Sequence, residues 1–153
     1  MSLPGAALYR VCIALWVGGM FAVGYMAAPM LFARLPDRML AGDVAGSLFT
    51  VQSWVAMACA AYVLLYLVGK QGRPVVNSAV FRIAAIMLLF TLIGHFGIQP
   101  VLLRLKAEAM PLSVMASPLR DQFALWHGAS SLLFVVESLL GLWLVAWQDR
   151  PFR

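Results

Sequence analysis

The stretch "VQSWVAMACAAYVLLYLVG", residues 51–69, decides the fold. It holds no charged side chain, and the uncharged run around it extends from Asp43 to Lys70. About twenty apolar residues cross the hydrocarbon core of a bilayer as an α-helix. The stretch therefore predicts a helix that spans a membrane.

Three further stretches have comparable length and the same character. The runs between Arg10 and Arg34 and between Arg82 and Arg104 hold no charged residue. The run between Asp121 and Asp149 holds one acid, Glu137. Together the four stretches predict membrane-spanning helices at about 9–33, 40–69, 78–106 and 121–148. The first is too long for the apolar core of a secretory signal, so it is interpreted as a span. The connections suit this division, because Asp37 can cap the second helix and Asn77 or Ser78 the third.

The composition requires lipid as the main solvent of the chain. Its 153 residues are 63% hydrophobic and 11% charged, whereas soluble domains are about 45–50% apolar and about 25% charged. The net charge of +5 does not indicate a nucleic-acid partner, since the basic residues are spread over the ends of apolar runs. We expect one all-α domain, an integral membrane four-helix bundle, without an internal repeat.

The orientation follows from counting Lys and Arg on each side. With four spans both termini share one side, which carries six basic residues against five on the other. The side richer in Lys and Arg is usually cytoplasmic. We therefore expect both termini in the cytoplasm.

Glycines mark surfaces where helices can approach closely. Gly42 and Gly46 are four residues apart on the second helix, and Gly18 and Gly19 lie on the first. Small residues at such spacing permit close backbone contact in lipid. They predict packing within the bundle, and the alternative is an interface in a homo-oligomer.

Two prolines fall inside predicted spans. Pro29 and Pro100 have no amide proton, so each frees the carbonyl four residues earlier, that of Tyr25 or Phe96. We expect a kink at each proline. In a membrane, a freed carbonyl needs a partner or faces a wet cavity.

Polar side chains from all four helices are expected at a common depth. Counting about 1.5 Å per residue from the side opposite the termini, Tyr25 and His95 lie roughly 13 Å deep, Gln52 roughly 12 Å and His127 roughly 9 Å. Gln99 is one turn from His95. This coincidence predicts a polar pocket in that half of the membrane.

The fourth helix places its polar groups on one flank. At 100° per residue, His127, Ser130 and Ser131 share a face, with Glu137 at its edge. We expect this face to turn inward and meet the stripe of His95 and Gln99 on the third helix. The alternative is that these groups only tie helices together, at about 0.6 kcal/mol for each bond. Glu137 is expected to be a neutral, hydrogen-bonded carboxyl, or one that reaches water, and an acid within a span is a functional candidate.

Several segments, in order, resemble a family of four-span membrane proteins of unknown function, the DUF4149 domain, which includes the eukaryotic transmembrane protein 205. They are "LWVGGMF", "AAPMLFARLP", "AGDVAGSLF", "IQPVLLRL" and "DQFALWHGASSLL". The resemblance implies the fold and, since the family includes bacterial inner-membrane proteins, a location in the inner membrane of a bacterium, and it implies no activity. His127, Ser130, Ser131, Pro29 and Pro100 match positions typical of the family, whereas His95 and Glu137 do not.

Three functions are compatible with these residues. The first is a transporter, or a membrane subunit of one, that handles a small solute or ion through the polar pocket. The second is a haem- or metal-binding redox protein in which His95 and His127 supply axial ligands, although no cofactor and no metal site are expected. The third is a non-catalytic scaffold. A hydrolase is disfavoured, because Glu137 is about 15 Å along the helix from His127 and cannot orient it.

Overall fold

Four long helices make up the computed structural model, which describes residues 3–150. The prediction of four membrane-spanning helices is confirmed. The first two are longer than predicted at both ends, the third begins one residue later and ends three residues later, and the fourth begins and ends one residue earlier. They cover Pro4–Arg34, Arg38–Gln71, Ala79–Ala109 and Arg120–Trp147, and each is long and apolar enough to cross a membrane. The protein is an all-α bundle of four membrane-spanning helices.

The first and third spans are each divided by a π-helical segment. In chain order the α-helices are α1 (Leu3–Phe21), α2 (Ala28–Arg34), α3 (Arg38–Gln71), α4 (Ala79–Leu92), α5 (Gln99–Ala109) and α6 (Arg120–Trp147). The π-helical segments are Ala22–Ala27, between α1 and α2, and Ile93–Ile98, between α4 and α5. Short 3-10 turns occur at Arg73–Asn77 and Val114–Ala116.

Side-chain caps fix where two helices begin. Asp37 Oδ1 accepts hydrogen bonds from the amides of Met39 at 2.8 Å and Leu40 at 3.2 Å. Ser78 Oγ accepts one from the amide of Phe81 at 3.2 Å, so Ser78 caps α4. Each cap satisfies an amide that has no partner within the first helical turn.

Both prolines within spans follow a π-helical segment. The amide of Ala28 donates to the carbonyl of Val23, and that of Gln99 donates to the carbonyl of Gly94, so each bond reaches back five residues. Pro29 and Pro100 come next, each as the second residue of the following α-helix. The disturbance predicted at the two prolines therefore takes the form of a wider helical turn just before each of them. The same arrangement occurs in both spans and is a local structural repeat, although the sequence shows no internal repeat.

The two ends of the bundle are packed differently. At the end that carries the termini, here the terminal side, Tyr9 donates a hydrogen bond to the carbonyl of Gln148 at 2.9 Å. A continuous apolar core fills this end, and its largest buried side chains are Tyr9, Ile13, Trp16, Val63, Leu67, Met87 and Leu144.

The opposite end, here the far side, contains much less buried surface. Its buried side chains are mostly small and belong to Ala41, Ala45, Ile98, Leu105 and Ala109. Here α2 packs on α3, and α5 packs on α6. The bundle is therefore closely packed on the terminal side and open on the far side.

The glycines predicted to pack helices do so unequally. A Cβ atom at Gly19 would lie 2.3 Å from Gln52 Oε1, so a close approach requires this glycine. A Cβ at Gly42 would meet Lys106 Nζ at 3.5 Å, an ordinary contact. Gly18 and Gly46 have no atom within 4 Å of that position. The packing prediction is therefore wrong for Gly18 and Gly46 within the monomer, because no neighbouring helix lies over them.

Candidate functional site

Gln52 binds the first span rather than lining a pocket. Its Nε2 donates to the carbonyl of Trp16 at 3.0 Å, while the rest of its amide lies against Gly19. A glycine here is needed because any side chain would displace the amide. The bond joins α1 to α3 near the boundary between the packed and open halves of the bundle.

A line of polar and aromatic pairs joins the second and third spans, and we name it the polar seam. Its pairs are Asp43 with Lys106, Thr50 with Gln99, and Trp54 with His95. The two helices run antiparallel, and successive pairs are the same number of residues apart on each of them. The polar seam therefore follows directly from a fixed register between α3 and the third span.

The polar seam contains hydrogen bonds between two side chains and hydrogen bonds from a side chain to a backbone carbonyl. Gln99 Nε2 donates to Thr50 Oγ1, which itself donates to the carbonyl of Gly46 at 2.9 Å. Lys106 Nζ donates to Asp43 Oδ1 at 2.9 Å and to the carbonyl of Gly42 at 3.3 Å. These bonds hold α3 and α5 together at a level where few apolar contacts do so.

His95 occupies an aromatic environment. Its ring packs edge-on against Trp54 at 5.2 Å and Phe96 at 4.7 Å between centroids. Its Nδ1 is buried without a hydrogen-bond partner among the described residues. Gln99 lies one turn further along the same span, and both side chains contact α3, whereas their part in a pocket stays a prediction.

Glu137 lies in the packed part of the bundle. Its side chain is 8% exposed, and its Oε1 lies 2.7 Å from Thr91 Oγ1 on α4. Thr91 Oγ1 also lies 3.0 Å from the carbonyl of Met87, one turn back on its own helix. None of the ion pairs formed by the described residues includes Glu137.

An aromatic cluster separates Glu137 from the open half. The ring of Phe134, one turn from Glu137 on α6, lies 5.4 Å from the ring of Tyr25 and 5.7 Å from that of Phe49. It rests on Gly24 so closely that a Cβ there would be 2.1 Å from Phe134 Cζ. Phe134 thus packs partly buried against the first π-helical segment, and Tyr25, in contact with it, is 48% exposed.

The polar pocket predicted around His127, open to the far side, stays a prediction, and the structure leaves these side chains largely uncovered. His127 and Ser131 are exposed, and Ser130 is half-buried. The imidazole of His127 stacks on Phe123 at 5.7 Å, and Ser131 Oγ donates to the carbonyl of His127 at 2.9 Å. The physical reason is the separation of the helices on the far side. At 100° per residue His127 lies above Phe134 on one face of α6, but at its level no neighbouring helix covers that face.

The two histidines do not share a set of neighbours. His95 packs on Trp54 and Phe96, whereas His127 packs on Phe123. Among residues 3–150 no three His, Cys, Asp or Glu side chains are grouped so that they could hold a metal ion. Haem ligation by the two imidazoles stays a prediction.

A half-open cavity of about 240 Å³ lies on the terminal side and is lined by Ser78, Ala79, Val80, Trp143 and Arg150. The polar groups of the far side instead lie on the less closely packed half of the bundle. We name this half, whose helices carry Tyr25, Gln99, His127 and Ser131, the far-side cleft.

Sequence reasoning missed two components of this arrangement. The first is the pair of Asp43 and Lys106, which the antiparallel register of the second and third helices could have revealed. The second is the position of Phe134 on Gly24, for which the sequence offers only a glycine and an aromatic on different helices. Contacts of that kind depend on how two spans are rotated against each other.

The fold and the arrangement of polar groups define a class, that of multi-pass membrane proteins with four spans. Residues 11–111 match the family described as "Domain of unknown function (DUF4149)", and this range holds 101 of the 153 residues. The chain belongs to the DUF4149 family. The match covers three spans and ends before α6, so it does not include the segment with His127, Ser130 and Ser131. No curated protein and no solved structure matches the chain.

Proposed function

We propose that the protein is a small membrane transporter, or a membrane subunit of one, that admits a small solute or ion through the far-side cleft. The observation that carries the proposal is the repeated π-helical segment and proline in the first and third spans. π-Helical turns inside α-helices are frequent at functional sites. Here both lie at the boundary between a closed half and an open half.

The asymmetry of packing supports this function. A bundle that is closed on one side and open on the other has the form of one state of an alternating-access cycle. Broken helices near the middle of a bilayer are a recurrent way to build solute and ion sites in transporters, because they expose backbone carbonyls. Pro29 and Pro100 each remove an amide at that level.

The groups at the cleft suit a hydrogen-bonding solute. Tyr25, Gln99, His127 and Ser131 offer hydrogen-bond donors and acceptors, and none of them belongs to an ion pair of the described residues. Lys106 and Asp43 stand at the edge of the same half and neutralise each other. Because a four-span chain is narrow for a solute path, we propose that it acts as a homo-oligomer.

Flux measurements test the proposal. Purified protein in liposomes would be assayed for uptake of sodium, potassium and chloride, and for glycerol by light scattering. We expect a flux for at least one probe that falls at least tenfold in Gln99→Leu. The matched control is Leu103→Ala on the same helix, whose side chain is 56% exposed and whose flux should equal wild type. Equal fluxes in Gln99→Leu and wild type contradict a role for the cleft.

A non-catalytic scaffold is the second candidate, and the open surface at Gly46 favours it. No atom lies within 4 Å of a Cβ built there, so the backbone of another helix could approach it closely. Gly46→Leu should then break a complex with a membrane partner, as measured by pull-down, while Gln99→Leu leaves it intact. The reverse pattern supports the cleft.

We also propose a bacterial inner membrane as the location, with both termini in the cytoplasm, on the distribution of Lys and Arg. Within the family, we propose that the chain groups with the members like transmembrane protein 205. The support is the segment Phe123–Ser131, in which Phe123, His127, Gly128, Ser130 and Ser131 keep the spacing typical of those members. Exchange of α6 with such a member should give a chain that still inserts and folds, measured by its helicity in detergent.

A further inference from the structure

We propose that Glu137 is a proton-binding site in the centre of the bundle, and that it exchanges its proton with far-side water when the ring of Phe134 moves aside. The inference rests on the proposed function for its physiological meaning, because it makes the proton the ion coupled to transport. The binding of the proton can be measured separately, so it stands or fails independently of any solute flux.

The hydrogen bonds of Thr91 locate the proton. Thr91 Oγ1 lies 3.0 Å from the carbonyl of Met87 and 2.7 Å from Glu137 Oε1, but a hydroxyl has one proton to donate. Donation to a carbonyl one turn back is the common state of a threonine within a helix. If the hydroxyl donates to Met87, then the carboxyl must be the donor to Thr91. One proton on Glu137 therefore satisfies all three groups.

The surroundings of Glu137 also suit a neutral carboxyl. On α4, Thr91 contacts the carboxyl and the side chain of Met87 lies beside Gly141, one turn away on α6, and both residues are uncharged. One turn further on α6, a Cβ at Gly141 would lie 3.1 Å from Met20 and 3.2 Å from Val17 of α1. A charged carboxylate in an apolar interior requires a cation or several hydrogen-bond donors. Here it would have one hydroxyl.

The titratable groups nearest along the neighbouring elements are engaged elsewhere. Tyr25, on the first π-helical segment, packs on Phe134 and Phe21. His95 is one turn beyond Thr91 on the third span, and its ring packs on Trp54. Helix α3 contributes the uncharged Phe49 to the same cluster. None of the ion pairs formed by the described residues lies at the level of Glu137.

The route for the proton is short and is blocked by one ring. Phe134 lies one turn from Glu137 toward the far side, and Tyr25, whose ring packs on that of Phe134, is 48% exposed. The ring rests on Gly24 of a π-helical segment, and this wider turn can change its hydrogen-bond register. A shift there would move the ring and admit water.

The exchange of the proton between Glu137 and water is an acid dissociation. The O–H bond of the Glu137 carboxyl breaks, its electron pair remains on the carboxylate, and the proton passes to a water molecule of the cleft. The Thr91 hydroxyl then rotates and donates to the carboxylate instead of to Met87. The carbonyl of Met87 lies within a helix and retains its backbone bond, so the rotation leaves no backbone group unpaired.

Labelling with a hydrophobic carbodiimide tests proton binding, because the reagent attacks protonated carboxyl groups. Purified protein in lipid nanodiscs would be treated with dicyclohexylcarbodiimide over a range of pH, with modified peptides identified by mass spectrometry. We expect modification of Glu137 that declines as the pH rises, and none at this position in Glu137→Gln. Glu108→Gln is the matched control. Glu108 is exposed and paired with Arg104 at 3.4 Å, so its loss should leave labelling of Glu137 unchanged.

Absent labelling of Glu137, or labelling that does not vary with pH, would overturn proton exchange at this site. Glu137→Gln should fold, since the amide can donate to Thr91 as the protonated carboxyl does, and its helicity in detergent checks this. If no probe crosses the liposome membrane but labelling follows pH, the proposed transport fails and the proton site stands.

Hydrogen–deuterium exchange of the carboxyl tests the role of Phe134. The infrared carbonyl band of the protonated acid shifts when the solvent is changed to heavy water, and the rate of this shift reports access of water. Phe134→Ala should exchange several-fold faster than wild type, whereas Phe123→Ala, beside His127 at the far end of α6, should not. Equal rates for Phe134→Ala and wild type would show that the ring does not control access.

Discussion

The contact between Gly24 and Phe134 supports a quantitative prediction for Gly24→Ala. The added Cβ would lie 2.1 Å from Phe134 Cζ and 2.6 Å from Cε1. An ordinary contact begins near 3.4 Å, so the ring or the helix must move by more than 1 Å. Overpacking of this kind costs about 1–3 kcal/mol. Alanine is also the better helix former, by about 0.8–1.0 kcal/mol.

These opposing terms predict a coupling that a double-mutant cycle can measure. With Phe134 present, Gly24→Ala should destabilise the bundle by up to about 2 kcal/mol, the overpacking cost less the gain in helix propensity. With Phe134→Ala, the obstacle is gone and the same change should stabilise by about 1 kcal/mol. The coupling energy between the two positions is therefore about 1–3 kcal/mol.

The assay is unfolding in mixed micelles of a mild detergent and sodium dodecyl sulfate, followed by circular dichroism. Gly18→Ala serves as the control, because a Cβ at Gly18 has no atom within 4 Å, and it should be neutral or stabilising. If Gly24→Ala costs the same free energy with and without the Phe134 ring, the ring does not rest on this glycine and the reasoning fails.

Three further predictions concern the polar seam and the orientation. In a double-mutant cycle, Thr50→Val and Gln99→Leu should show a coupling of about 0.6 kcal/mol, the average for hydrogen bonds between membrane helices, and additivity within error would contradict the bond. Asp43→Asn should cost less than about 1 kcal/mol, and the loss should shrink at high salt, because its partner Lys106 is at the edge of the bundle and the pair is partly exposed. A fluorescent protein fused after the last residue should fluoresce in bacterial cells if the termini are cytoplasmic, and a periplasmic alkaline phosphatase fusion that is active there would reverse the orientation.

The spans were predictable because lipid imposes a single strong requirement. A helix must present about twenty apolar residues, and the charges at the ends of each run mark its limits. The second span, for example, is predicted at 40–69 and lies at Arg38–Gln71. The caps at Asp37 and Ser78 were predictable for a local reason, since a cap depends only on a side chain and amides two or three residues away.

The arrangement between spans was less predictable. Helical periodicity places His127 and Phe134 on one face of a helix, and the two residues do lie on one face of α6. Periodicity does not reveal whether a neighbour covers the face at each level, and here a neighbour covers Phe134 but not His127. The π-helical segments were also beyond local reasoning. A proline predicts a lost amide bond, while the form of the accommodation depends on the packing of the whole span.

The length of α3 determines where its first turns stand in the bilayer. Its 34 residues extend about 51 Å, and the hydrocarbon layer is about 30 Å thick. Even a tilt of about 40°, at the upper end of the observed range, leaves roughly 9 Å of this rod beyond the acyl chains. We expect Asp43, in the second turn of α3, and its partner Lys106 to lie near the lipid headgroups at this end, where an anionic phosphate would compete with the carboxylate for the ammonium group. The lipid composition of that leaflet can therefore weaken or strengthen the ion pair between the second and third helices.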